Sequence, residues 1–263
     1  MLTVRAIASG SSGNAFAVGT ERVSLLLDAG LSARRLIASL EATWFAPERI
    51  AGIVLTHEHH DHTSGAVALS RELGVPIYAT SGTARALRLD PGEVVPLTAE
   101  RPLQLDDLEI TPFPVVHDAA EPIGVMVRHA DYRVALATDI GSVDDCTQRW
   151  AGEADLLILD TNHDLLRLWG GPYPAALKRR IASPHGHLSN EQAARCIATA
   201  VERGRTRWAW LAHLSETNNS QRGALATVKA RLQGAEVAVE VTRRAQPSLV
   251  WRSTNTYLQG RLL

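Results

Sequence analysis

The chain has 263 residues, 45% of them hydrophobic, with 27 Lys+Arg against 28 Asp+Glu and a formal net charge of -1. That length buries a proper core in one large domain or two small ones, and the apolar content excludes a mainly disordered chain. The balanced charge excludes a globally basic nucleic-acid coat, though not a local basic patch.

In chain order, alternating apolar runs predict strands over 2–8, 15–19 and 23–28, a helix over 33–42, and a strand over 50–56. A helix over 64–73, a strand over 75–79 and a helix over 82–88 follow, and the proline-containing stretch 91–102 reads as an internal loop. Strands over 108–115, 124–128 and 132–137 precede a helix over 143–150 and a strand over 155–159. The remainder reads as helices over 174–181, 190–203 and 220–232 with strands over 207–212, 236–240 and 248–251. Ser189 and Gln192 form a capping-box pattern at the start of the 190–203 helix. Without repeats or a separating linker, a single domain over 1–263 is expected. No apolar segment approaches the ~20 residues of a membrane helix, and Cys146 and Cys196 fit a reducing compartment, so the expected location is cytoplasmic, with no membrane partner.

Four of the 10 His, His57, His59, His60 and His62, fall within six consecutive residues. Residues 55–65 read LTHEHHDHTSG and follow an apolar strand. Side chains at i and i+2 of an extended segment point the same way, so His57 and His59 can share one metal ion, with His60 turned away. If a helix begins there, Asp61 and His62 turn toward a second ion. Imidazole with carboxylate suits zinc, manganese or iron rather than calcium or magnesium. One segment cannot complete two coordination shells. His117, Asp139 and His213 each follow a predicted strand, where loops carry function, and supply the missing ligands.

THEHHDH resembles the HxHxDH motif of the metallo-β-lactamase fold. SGSSGNAF at 9–16, LLLDAGLS at 25–32, HDAAEP at 117–122, ATDIG at 137–141, NHD at 162–164, GHLSN at 186–190 and AHLSETNN at 212–219 resemble its YycJ (WalJ) branch. The resemblance covers almost the whole chain. It implies an α/β four-layer αβ/βα sandwich, two mixed sheets flanked by helices, with metals at one edge. It implies that His57, His59 and His117 bind the first ion, that Asp61, His62 and His213 bind the second, and that Asp139 bridges them. Asp28 matches an acidic residue that orients a ligand rather than binding metal. Asp160 departs from the glutamate more common before NHD.

The resemblance further implies a dinuclear metal-dependent phosphodiesterase, a nuclease on DNA with 5′-exonuclease character, acting through a metal-bound hydroxide that Asp61 also orients. His187 precedes the Ser189 cap, where a helix start favours anions, and matches a histidine that contacts the scissile phosphate or acts as general acid. His163 is a substrate contact or a brace for a ligand. The Gly/Ser-rich loop carrying Ser11 and Asn14 is a plain turn or a phosphate floor. Lys178-Arg179-Arg180 is a solvated helix face or a phosphate track, with Lys178 its substrate contact. The competing readings are a small-molecule hydrolase of the same fold, a cyclic phosphodiesterase or a glyoxalase II-like thioesterase, and a metal-stabilised binding protein without turnover.

Overall fold

The computed structural model describes residues 1–254, 257–258 and 261–262. Its first sheet contains β1 (Thr3–Ala8), β2 (Ala15–Gly19), β3 (Ser24–Leu27), β4 (Ile50–Val54), β5 (Ile77–Thr80), β6 (Val94–Leu97) and β14 (Val250–Arg252), in the order β14-β1-β2-β3-β4-β5-β6. Strands β1 to β3 form an antiparallel meander, and β3 to β6 run parallel. The second sheet contains β7 (Leu103–Leu105), β8 (Leu108–Pro114), β9 (Ile123–His129), β10 (Tyr132–Ala137), β11 (Leu156–Asp160), β12 (Trp208–Ala212) and β13 (Ala238–Val241). It repeats the plan: β7 to β10 are antiparallel and β10 to β13 parallel.

Strands buried on both faces split their side chains between two cores. Leu25 and Leu27 meet Val125, Leu156, Ile158 and Trp210 between the sheets. Leu26 points outward to Leu36 of α1 (Ala33–Glu41) and Leu69 of α3 (Ala66–Leu73). Leu157 and Leu159 point the other way, to Ile197 of α8 (Asn190–Glu202) and Ala151 of α5 (Asp145–Gly152), with Val228 of α9 (Gln221–Arg231) in the same cluster. The result is a four-layer helix–sheet–sheet–helix sandwich, the fold class the resemblance implies.

The stretch 91–102 is not a plain loop: it contributes the edge strand β6 and runs into β7, the edge of the other sheet. Pro96 is tolerated in β6 because an edge strand leaves one row of backbone groups unpaired. Short helices α2 (His60–Thr63), α4 (Ser81–Ala86), α6 (Leu165–Gly170) and α7 (Ala175–Ile181) decorate the strand ends, and α6 was not expected. The Ser189 capping box forms as predicted. The tail 253–263, for which the sequence suggests no role, lies partly outside the described residues; its β15 (Tyr257–Leu258) and β16 (Arg261–Leu262) pair antiparallel. Among the described residues no helix is long and apolar enough to cross a membrane.

Candidate metal centre

The predicted ligands stand just past strand ends at one edge of the sandwich. Beyond β4 the chain stays extended to His59, whose φ of -60° and ψ of 145° precede the first residue of α2. His57 and His59 thereby project together, and the helical turn carries Asp61 and His62 elsewhere. His117 follows β8, Asp139 follows β10 and His213 follows β12. The ligand atoms of His57, His59 and His117 lie within 4.8 Å of one another, and so do those of Asp61, His62, Asp139 and His213. Asp139 reaches both groups: its carboxylate lies 2.9 Å from His62 Nε2, 3.6 Å from His213 Nε2 and 3.9 Å from His117 Nε2.

The rings of His57, His62, His117 and His213 are held from behind. His62 Nδ1 donates to Asp28 Oδ2 at 2.7 Å and His117 Nδ1 donates to the Gly186 carbonyl at 3.0 Å. Such bonds fix the tautomer and leave Nε2 with its lone pair facing the site. Thr56 Oγ1 lies 3.0 Å from both Asp28 carboxylate oxygens and 3.0 Å from His57 Nδ1, tying the two groups together. Asp28, Asp139 and His213 hold left-handed backbone, with φ of 60°, 55° and 55°. Such conformations cost about 1–3 kcal/mol each and persist only where the surroundings impose them.

Buried His57 Nε2 has no hydrogen-bond partner among the described residues, and a buried polar atom left alone is costly. A divalent cation is a partner that fits. Burial, reinforced by His62, holds the His57 pKa well below the ordinary imidazole value, so the ring is neutral and able to ligate. Against burial, Asp139 and then a hydrogen bond accepted by Asp61 push His213 up to about 9. A cation competes with the proton for that same lone pair.

His59, Asp61, Asp139 and His213 form the floor of a cleft of about 400 Å³, walled by Ser11, His60, Tyr173, Arg180 and His187. His187 Nδ1 lies 3.0 Å from Asp160 Oδ2 and 3.7 Å from Asp139 Oδ1. Ser11 lines this cleft. Asn14 does not. It is wholly buried, and its amide donates to the Gly10 carbonyl and lies 3.3 Å from Asp61 Oδ2 and 3.0 Å from His62 Nε2; it positions Asp61. His163 is also removed from the surface, 1% exposed, with its backbone bridged to Ser189. It braces the loop before α8 and cannot touch a substrate. Lys178 turns away, its ammonium donating to the carbonyls of Trp169 and Gly171 at 2.8 and 2.7 Å. Two residues on, Arg180 faces the cleft and donates to Asp118 Oδ2 at 2.6 Å.

Sequence reasoning missed Thr56 and noted Asp160 and Asn162 only as parts of a motif, without a role. Asn162 Nδ2 donates to the His213 carbonyl at 3.0 Å and lies 3.3 Å from its Nδ1. Its position in NHD, beside a strand end, was the available clue.

Residues 24–214 match the model of the β-lactamase superfamily domain. The chain belongs to that superfamily and is a metal-dependent hydrolase. Within it, the chain is 35% identical over 232 residues to exodeoxyribonuclease YycJ of Bacillus anthracis, covering 86% of this chain and 88% of that protein. It is likewise 35% identical over 242 residues to exodeoxyribonuclease WalJ of Streptococcus pneumoniae serotype 2, covering 89% and 90%. Among solved structures, the metallo-β-lactamase fold protein YhfI of Bacillus subtilis superposes with a TM-score of 0.73 at 17% identity, over 95% of this chain and 99% of that one. A diphosphatase of the PhnP family gives 0.64 at 17% identity, over 95% and 97%. These two likenesses establish the fold.

Proposed function

We propose that the protein is a dinuclear metal-dependent phosphodiesterase that degrades DNA from an end. The observation that carries this reading is the pair of convergent donor groups sharing Asp139 at the floor of an open cleft. The names of the two 35%-identical relatives, both exodeoxyribonucleases, support the DNA substrate.

His57, His59 and His117 would hold one ion, Asp61, His62 and His213 the other, with Asp139 shared. The donor set suits zinc or manganese, and also iron. When bound, such ions supply Lewis acidity that activates water and offsets the charge developing on phosphorus. The protein's own groups do the rest. Asp61, held by Asn14 and by His213 Nε2 at 3.2 Å, orients the attacking water. Asp160 fixes the His187 ring through Nδ1, leaving Nε2 to give a proton to the departing oxygen. Arg180 and Ser11 hold phosphate oxygens on the cleft wall. The single-domain organisation and cytoplasmic location expected from the sequence belong to the same proposal.

The test is a metal-reconstituted assay comparing phosphorylated duplex DNA, RNA, a small phosphodiester and a thioester. Preferential DNA cleavage is expected. Rapid thioester cleavage with inert DNA contradicts the reading and favours a small-molecule hydrolase.

A further inference from the structure

One lip of the metal cleft is α7, which supplies Leu177, Arg180 and Ile181 to the wall. This helix has no buried residue, so burial of an apolar face does little to hold it. Among the described residues, the hydrogen bonds that tie its side chains to other segments come from two cations. Lys178 Nζ is bound to the carbonyls of Trp169 and Gly171, and Arg180 Nε donates to Asp118 Oδ2 at 2.6 Å. Residues 165–189 contain no Asp or Glu, so a carboxylate for Arg180 has to come from another part of the chain.

Asp118 is itself anchored. Its backbone N donates to the His185 carbonyl at 3.0 Å, and the residue before it is His117, whose ring is fixed on Gly186. Two residues on, Ala120 N donates to Glu58 Oε1 at 2.8 Å, inside the His57–His62 run. The second carboxylate oxygen, Asp118 Oδ1, lies 3.3 Å from His117 Nε2. Asp118 is absent from the cleft wall that Arg180 lines, so it holds the guanidinium from outside the cleft. The two side chains are 56% and 32% exposed, and an ion pair at such exposure adds little to stability. Its consequence is geometric. A bond through Nε orients the guanidinium plane. It leaves both terminal nitrogens, which make no hydrogen bond among the described residues, to hold an anion through parallel bonds.

We infer that Asp118 is a positioning residue: it fixes Arg180 relative to the His117 ligand group, so that a phosphate held by Arg180 is presented to the metal centre. The inference rests on the phosphodiesterase reading above, in which Arg180 holds phosphate oxygens. The expected sign is the reverse of simple electrostatics. A carboxylate near a phosphate site repels the substrate, and its removal on that ground alone would tighten binding. Here its removal should loosen binding, because a long side chain set free has to be ordered again when the anion arrives.

The test pairs calorimetric titration of inorganic phosphate with steady-state cleavage of one oligonucleotide, both on metal-loaded protein. It compares wild type, Asp118→Ala, Asp118→Asn, Arg180→Ala and the Asp118→Ala/Arg180→Ala double variant. Asp118→Ala should weaken phosphate binding and raise KM, each by about ten-fold, with kcat changed by less than about three-fold and metal content as in wild type. Asp118→Asn keeps an oxygen that accepts from Nε and should restore most of the affinity. The double variant should be no weaker than Arg180→Ala, since both changes act through one guanidinium. Tighter phosphate binding in Asp118→Ala would make the carboxylate a plain repellent. Additive losses in the double variant, or metal lost from Asp118→Ala, would place its action elsewhere. Each of these overturns the inference while leaving the phosphodiesterase reading intact. If no diester is cleaved, that reading fails, and the phosphate titrations decide Asp118 alone. A loss in Asp118→Ala that Asp118→Asn restores supports its role; equal isotherms, or no phosphate bound by wild type, overturn it.

Discussion

Asp28 Oδ2 lies 2.7 Å from His62 Nδ1, with both side chains wholly buried. The carboxylate also accepts from the Thr56 backbone and hydroxyl. A residue outside the proposed ligand set therefore sets the tautomer and angle of one within it. Asn tolerates left-handed backbone, so Asp28→Asn should fold. It should weaken binding of one metal ion by about 10–100-fold, read by competitive metal titration. Unchanged affinity for both ions would mean that His62 needs no support.

Asp139 is the group common to both clusters. Asp139→Ala should lower the bound metal below two ions per chain and abolish turnover, whereas His57→Ala should remove one ion and keep the other. Elemental analysis of purified protein reads both. Two ions retained in Asp139→Ala would contradict the shared-ligand assignment.

His187 is assigned a proton rather than an ion, so its loss should depend on the leaving group. His187→Ala should lower kcat on DNA by about 10²–10⁴-fold with metal content unchanged. On a diester that releases p-nitrophenolate, which leaves without a proton, the loss should be far smaller. An equal loss on both substrates would assign His187 to binding or metal retention.

Burial lowers His163 to about 4, against an ordinary value of about 6.5. Above pH 6.5 the ring is neutral in both folded and unfolded chains and contributes nothing to pH dependence. As pH falls from about 6.5 to about 4, the unfolded chain takes up the proton first, and stability drops by on the order of 3 kcal/mol. His163→Leu should flatten the pH dependence of urea unfolding across that window, and a slope equal to that of wild type would contradict the assignment.

The candidate ligands that the structure brings together were legible from local pattern at each position. His57 and His59 alternate, Asp61 and His62 follow the helical turn, and His117, Asp139 and His213 each close an apolar run. The four layers were expected from the resemblance to the metallo-β-lactamase fold, and strands apolar on both faces agree with them. What the sequence hid depends on distant partners. Asn14 looks like a phosphate-binding loop residue until Asp61, 47 positions away, is seen against it. Lys178 looks like a phosphate contact until the end of α6 takes its ammonium. Edge strands β6 and β7 were obscured by the prolines in 91–102, of which Pro96 alone lies in a strand, at the sheet edge. The net charge of -1 was equally silent about phosphate attraction, which would come from bound cations at a His-rich edge.

The most direct test of the central claim joins metal stoichiometry to turnover on phosphorylated duplex DNA. The protein is stripped with chelator, and zinc or manganese is returned in steps while bound metal and nucleotide release are measured together. The account predicts no release without metal and full activity only as occupancy approaches two ions per chain. Full activity at one ion or none, or a fully loaded protein that leaves DNA intact, would contradict it.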